Sequence, residues 1–119
     1  MRPIKFRAWD KKENRMMKPD VRWLIDPTDG SIYNSIKDDY ESDWVLMQFT
    51  GLHDKNGKPI FENDIVKHHY HNQVCLVQWS ESRSQFELEF GEDWYPLWPI
   101  DSEHFEVLGN IYENPELLK

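Results

Sequence analysis

The sequence predicts a mostly-β protein: a small SH3-like β-barrel with additional β-hairpins and a short C-terminal helix. Three observations lead there. Short apolar or alternating runs recur along the chain, separated by polar turns rich in Asp, Asn, Gly and Pro, the pattern of small barrels and sandwiches. Asn56-Gly57 lies between Leu52 and Ile60-Phe61, a strong short-range hairpin signal. In PIFENDIVKHHY a turn residue and an Asp lead into a hydrophobic strand, as in SH3-like barrels, where the Asp side chain holds the turn by accepting backbone N–H bonds.

Each element follows from local pattern. Ile4, Phe6 and Ala8 alternate with Lys5, Arg7 and Trp9, the period of a half-buried strand. Residues 10–14 read as a turn and Arg15-Met16-Met17 as the returning strand. Trp23-Leu24-Ile25 precedes Asp26-Pro27-Thr28-Asp29-Gly30, in which Pro pre-sets φ and Gly accepts positive φ, and Ile32-Tyr33 resumes a strand. Residues 34–43 fit either a long loop or a helical turn. Trp44–Thr50 is nearly continuously apolar, as in a strand covered on both faces.

Within the Asp54–Gly57 hairpin, Asn56 and Gly57 supply positive φ. Asn63 stands where Gly is common, and Asp64 is read as a structural turn residue rather than a catalytic acid. Ile65–Tyr70, Gln73–Trp79 and Gln85–Phe90 read as strands, the last with Glu87 and Glu89 on its wet face. GEDWYPLWP looks like a loop. Phe105–Leu108 is a final strand broken by Gly109-Asn110, and Asn114-Pro115 opens a terminal helix, Asn114 as its N-cap. No repeat or linker interrupts residues 1–119, which read as one domain; a subdivision into a β-rich portion at 1–43 and a barrel portion at 44–119 is the finer alternative.

Bulk properties narrow the function classes. The 119 residues suffice for a real core, and 14% aromatic content opposes disorder although 30% of residues are charged. One cysteine, Cys75, forms no internal disulfide. Nothing resembles a signal peptide or a membrane span, so the expected setting is the cytoplasm, without membrane contact. The net charge of −8 divides into +5 over residues 1–22 (8 basic, 3 acidic) and −13 over the remainder (6 basic, 19 acidic). Net acidity argues against a dedicated nucleic-acid binder, whereas this polarity suits an ordinary solvated strand pair or contact with an acidic partner.

Three segments in order, IKFRAWDKKENRMM, QFTGLHDKNGKPIFENDIVK and FEVLGNIYENPELL, resemble the YopX family of phage and prophage proteins. They reach from one end of the chain to the other, while residues 20–44 and 91–103 carry no matching motif. The resemblance implies an SH3-like barrel with an added β-rich portion, encoded in phage genomes mostly of Gram-positive bacteria and acting in a bacterial cytoplasm. It brings no catalytic residues with it.

Several constellations carry chemistry in principle. His69 and His71 share a strand face at i and i+2, and with His53 or His104 are weak candidates for a metal site. No spaced Cys pair or HExxH helix supports that, and a polar strand end explains them as well, so neither metal nor cofactor is expected. Glu87 and Glu89 read more simply as a solvent face than as a carboxylate pair for proton or metal chemistry. With no nucleophile elbow, P-loop or GxGxxG, an enzyme is not expected. Trp79, Trp94, Tyr95 and Trp98 are a candidate protein-contact surface, the alternative being core at a barrel end. Arg2, Lys5, Arg7, Lys11, Lys12 and Arg15, with Trp9 for stacking, are candidate contacts to nucleic acid or an acidic partner. The function these features favour is a non-enzymatic accessory module that binds an unidentified protein or assembles with itself. A nucleic-acid role is the alternative and a metal-dependent hydrolase the more distant one.

Overall fold

Alternating side chains need strand partners to satisfy their backbone groups, and pairing accounts for most of the chain. The computed structural model describes residues 3–17 and 22–118; Arg2 lies outside them. The fold is mostly β. It separates into two units, one of residues 5–48 and one of residues from Phe49 onward together with Pro3 and Ile4.

In the first unit, β1 (Phe6–Asp10) pairs with β2 (Arg15–Met17) across a turn in which Asn14 takes φ +54°. Asp10 Oδ1 accepts the N–H groups of Lys12 and Glu13 at 2.9 and 3.1 Å, which nucleates that turn. On its other side β1 pairs with the first half of β6 (Trp44–His53). Trp9, expected on the wet face, is only 6% exposed, and Ala8 and Asp10 are buried as well. Ile4 precedes the strand and is exposed. β3 (Trp23–Ile25), β4 (Ile32–Asn34) and β5 (Asp39–Tyr40) form a separate antiparallel sheet. The undecided stretch at 34–43 is thus a tight hairpin, its turn closed by Asp38 at φ +56° and β5 beyond it.

In the second unit, the far half of β6 pairs with β7 (Pro59–Phe61) through the Asp54–Lys58 turn. Within that turn only Gly57 takes positive φ, +81°; Asn56 does not. Five strands then form one antiparallel sheet in the order β11 (Asp93–Pro96), β10 (Gln85–Phe90), β9 (Gln73–Ser80), β8 (Asp64–His68), β12 (Phe105–Asn110). It is a half-barrel whose edges, β11 and β12, are not paired with each other among the described residues. One face buries Val66, Cys75, Val77, Leu88 and Phe105 with Ile60; Leu52, Phe90, Tyr95, Leu97 and Val107 pack around them.

Two local expectations change. GEDWYPLWP is not a loop: its middle is the edge strand β11, where Pro96 is tolerated because an edge position can leave an N–H unpaired. Gly109-Asn110 does not end the last strand. A bulge between Val107 and Gly109 absorbs one residue and pairing resumes to Asn110, opposite Asp64. Pro115–Leu118 form a 3-10 helix preceded by Asn114. The Asn114 side chain turns back instead of capping forward, accepting Asn110 N–H on Oδ1 at 3.3 Å.

Cys75 is fully buried, and burial pushes its thiol up to about 11. A thiol-reactive probe at neutral pH is therefore expected to label the folded protein at least about 100-fold more slowly than the urea-unfolded chain, since the thiolate is the reacting species and burial also blocks access. Comparable labelling rates in the two states would show that β9 does not hold this position closed.

Candidate functional site

The four aromatic residues singled out from sequence do not all share one face, because alternation along β11 sends the neighbours Trp94 and Tyr95 to opposite sides of the sheet. Tyr95 points to the core face and stacks on His71, centroids 5.1 Å apart. Trp79 lies beside Phe86 at the end of that face. Trp98, 57% exposed, precedes a 3-10 helix at Pro99–His104. Trp94, 40% exposed, faces the opposite way, on the outer side of the sheet.

That outer face is built by the register of three strands. Glu87 stands opposite Gln78 and Pro96, and Glu89 opposite Leu76 and Trp94, so these side chains share one side. Glu87, expected in solvent, is 0% exposed. Arg83, in the turn between β9 and β10, folds back over it with Nε 2.5 Å from Oε2 and Nη2 2.8 Å from Oε1, while Gln85 Nε2 donates to Oε2 at 2.8 Å. Alternation assigns a side chain to a face but says nothing of what a neighbouring turn lays across it. The Arg83 hydrogen bonds hold the Glu87 carboxyl below the usual carboxylate range, against the opposing effect of burial, with Gln85 assisting. The same guanidinium lies 3.8 Å from the Trp94 ring centroid. Carboxylate, guanidinium and indole thus form a stack in which the buried acid orients the cation and the cation orients the ring. Beside it, Val74, Leu76, Glu89, Phe90, Gly91 and Leu118 line a hollow of about 240 Å³.

Other predicted groups fall elsewhere. His69 and His71 are not on a strand face: β8 ends at His68, and both lie in the turn before Asn72, which takes φ +53°. His69 Nε2 sits 2.9 Å from Glu106 Oε1 while His71 stacks on Tyr95, so the turn directs the two rings to different neighbours. Among the described residues no group of three His, Cys, Asp or Glu side chains is arranged to hold a metal ion. In the first unit, Lys12 and Arg15 line a groove of about 430 Å³ with Glu13, Asp43, Trp23 and Trp44, so acids interleave with the basic residues there. Lys5 and Lys11 are exposed and Arg7 is half-buried. The burial of Trp9 removes the ring expected to stack on bases.

The turn residues form two nodes. Asn63, at φ +68°, donates its N–H to Val77 O at 2.8 Å, accepts Ile111 N–H on its carbonyl at 2.9 Å, and accepts Gln78 Nε2 on its side-chain oxygen at 2.8 Å. Asp64, buried, accepts Phe61 N–H on Oδ2 at 2.8 Å. The Asp54 carboxylate accepts Asn56 and Lys58 N–H on Oδ1 and Val107 N–H on Oδ2, all at 2.9 Å, joining the hairpin to β12 across 53 residues of sequence. Sequence reasoning saw Asp54 only as a turn residue and missed Arg83, because neither contact leaves a local periodic mark.

A model of the family described as YopX protein matches residues 5–119. Nothing among curated proteins matches. The crystal structure of protein EF1440 from Enterococcus faecalis is similar over 100% of both chains, at 29% identity and a TM-score of 0.69. The crystal structure of protein yopX from Bacillus subtilis is similar over 100% of both chains, at 23% identity and a TM-score of 0.64, a likeness of fold.

Proposed function

This chain belongs to the YopX family, and from that premise we propose that it is a non-enzymatic binding module whose contact surface is the outer face of β9, β10 and β11. The observation that carries the reading is the Glu87–Arg83–Trp94 stack. Trp and Arg dominate interface hot spots, and a pair already held in place loses little further freedom when a partner docks. The adjoining hollow beside Val74 and Leu76 offers room for an apolar side chain.

In this reading the protein is a soluble phage or prophage accessory protein of the bacterial cytoplasm that works through protein contacts, self-association among them. No helix among the described residues is long and apolar enough to cross a membrane, in keeping with such a setting. The nucleic-acid alternative keeps Lys11, Lys12 and Arg15 but has lost Trp9 as a stacking ring.

Trp94→Ala is expected to weaken partner binding or self-association by at least about tenfold, the cost of removing a hot-spot residue. Sedimentation and affinity capture from phage-infected cells read this out, with unchanged far-UV circular dichroism as the control for folding. A Lys11→Ala/Lys12→Ala/Arg15→Ala variant should match wild type. The reverse pattern, with salt-dependent DNA or RNA binding lost only in the basic-residue variant, gives the function to the hairpin. A strictly monomeric protein that captures nothing overturns the proposal.

A further inference from the structure

Three imidazoles meet at one end of the five-stranded sheet. His68 closes β8 opposite Gln73 of β9 and Phe105 of β12. The His71 ring, from the following turn, lies 4.6 Å from it, and His104, ending the 3-10 helix, stacks on it at 6.4 Å with planes 8° apart. Phe105, Tyr70 and Tyr95 are the other rings around His68. His68 is 3% exposed, and its Nδ1 has no hydrogen-bond partner among the described residues. The buried Oε1 of Gln73, the residue paired with it, has none either. A backbone bond of 2.8 Å from His69 N–H to His104 O joins the turn to the helix.

The charged and titratable groups around His68 come from each neighbouring element. The turn contributes His69, Tyr70 and His71, the 3-10 helix Asp101 and His104, and β11 Tyr95. β9 offers the neutral Gln73. On β12, Phe105 is neutral and the Glu106 carboxylate is engaged by His69. Asp101 alone among these favours a proton on His68; His71, His104 and His69 oppose it.

We propose that this cluster is an acid-sensitive latch: the packed rings hold the 69–72 turn and the 99–104 helix against the sheet end, and proton uptake at His68 releases them. A proton there places a charge on a buried ring beside two other imidazoles, with Asp101 as the one opposing acid. Burial, and then His71, keeps the His68 ring below its ordinary proton affinity. The folded pKa therefore lies below the unfolded value of about 6.5, and the unfolded chain binds the proton first as pH falls. This contribution to stability is complete above about pH 6.5 and is lost progressively below it. The paired carboxylates of Glu87, Glu106 and Asp54 are held below their ordinary values, so their losses begin at lower pH.

Urea unfolding between about pH 7.5 and 5.0 tests the latch. The wild-type folding constant is expected to fall over that interval, by up to about 30-fold, the ceiling that one proton bound by the unfolded chain at about 6.5 sets, and that of His68→Phe by clearly less. An equal fall in both proteins overturns the proposal. Should His68→Phe not fold, titration of the wild-type ring protons by NMR decides. A His68 midpoint below about 6.5, with amide signals of 69–72 and 99–104 shifting together, supports the latch. A midpoint at or above that value overturns it. A His71→Gln/His104→Gln variant should raise the midpoint.

Discussion

Replacing Asp54 by alanine is expected to destabilise the protein by about 3–4 kcal/mol, more than other single changes among the turn residues. The carboxylate is 6% exposed and serves three backbone donors, two within its own hairpin and one, Val107, on β12. Charge-assisted bonds of this kind contribute about 1.5–3 kcal/mol each, and water can reach the turn donors more readily than Val107 N–H, which brings the sum down. Asp54→Asn, which keeps one carbonyl acceptor, should lose about half as much. Urea unfolding of the three proteins at neutral pH measures this; a loss below about 1 kcal/mol for the alanine variant would mean that β12 does not depend on the hairpin. The pH response has a definite sign. Burial opposes the charge, but Val107, Lys58 and Asn56 N–H, with the Lys58 ammonium, outweigh it and hold the carboxyl below its usual range. The stabilisation is thus fully present above the unfolded pKa of about 3.9 and disappears as pH falls through the folded value, well below the window of the histidine latch.

Gly109→Ala is expected to cost about 2–3 kcal/mol for a different reason. Its φ is not positive, so backbone freedom is not at issue. A Cβ at this position would lie 2.1 Å from Asn114 Oδ1, 2.7 Å from its Cγ and 3.1 Å from its Cβ. Asn114 cannot swing aside without giving up Asn110 N–H. In turn, Asn110 accepts Tyr112 and Glu113 N–H on its side chain, so the strain reaches the whole C-terminal turn. In a Gly109→Ala/Asn114→Ala double variant the two nearest atoms are gone, and the loss should be smaller than the sum of the single losses. Strict additivity in thermal unfolding would show that the chain relaxes elsewhere.

The sheet was legible where each strand carried its own record. Gln73–Trp79, which extends one residue further to Ser80, and Gln85–Phe90 read as strands because apolar spacing and flanking polar turns are local properties. Asp93–Pro96 did not, since two prolines and three large aromatics look like a loop until β10 supplies an edge to pair with. The bulge near Leu108 was invisible, as it depends on the register imposed by β8. Among candidate site residues, Trp94 was found but its partners were not. Arg83 and Glu87 are four apart in sequence, a spacing that signals contact on a helix and carries no such meaning across a β-turn.

By itself the sequence determined the mostly-β class, the turns at Asp54–Gly57 and Asn63-Asp64, and the family, all of which rest on short segments whose residue types restrict the backbone directly. The tertiary structure decided which polar side chains are buried and with whom. Asp54 became a tie to the last strand, Glu87 the buried root of an Arg–Trp stack, and His68 the centre of an imidazole cluster. Burial of a charged or titratable group depends on what other segments lay over it, and those segments meet only once the sheet has assembled.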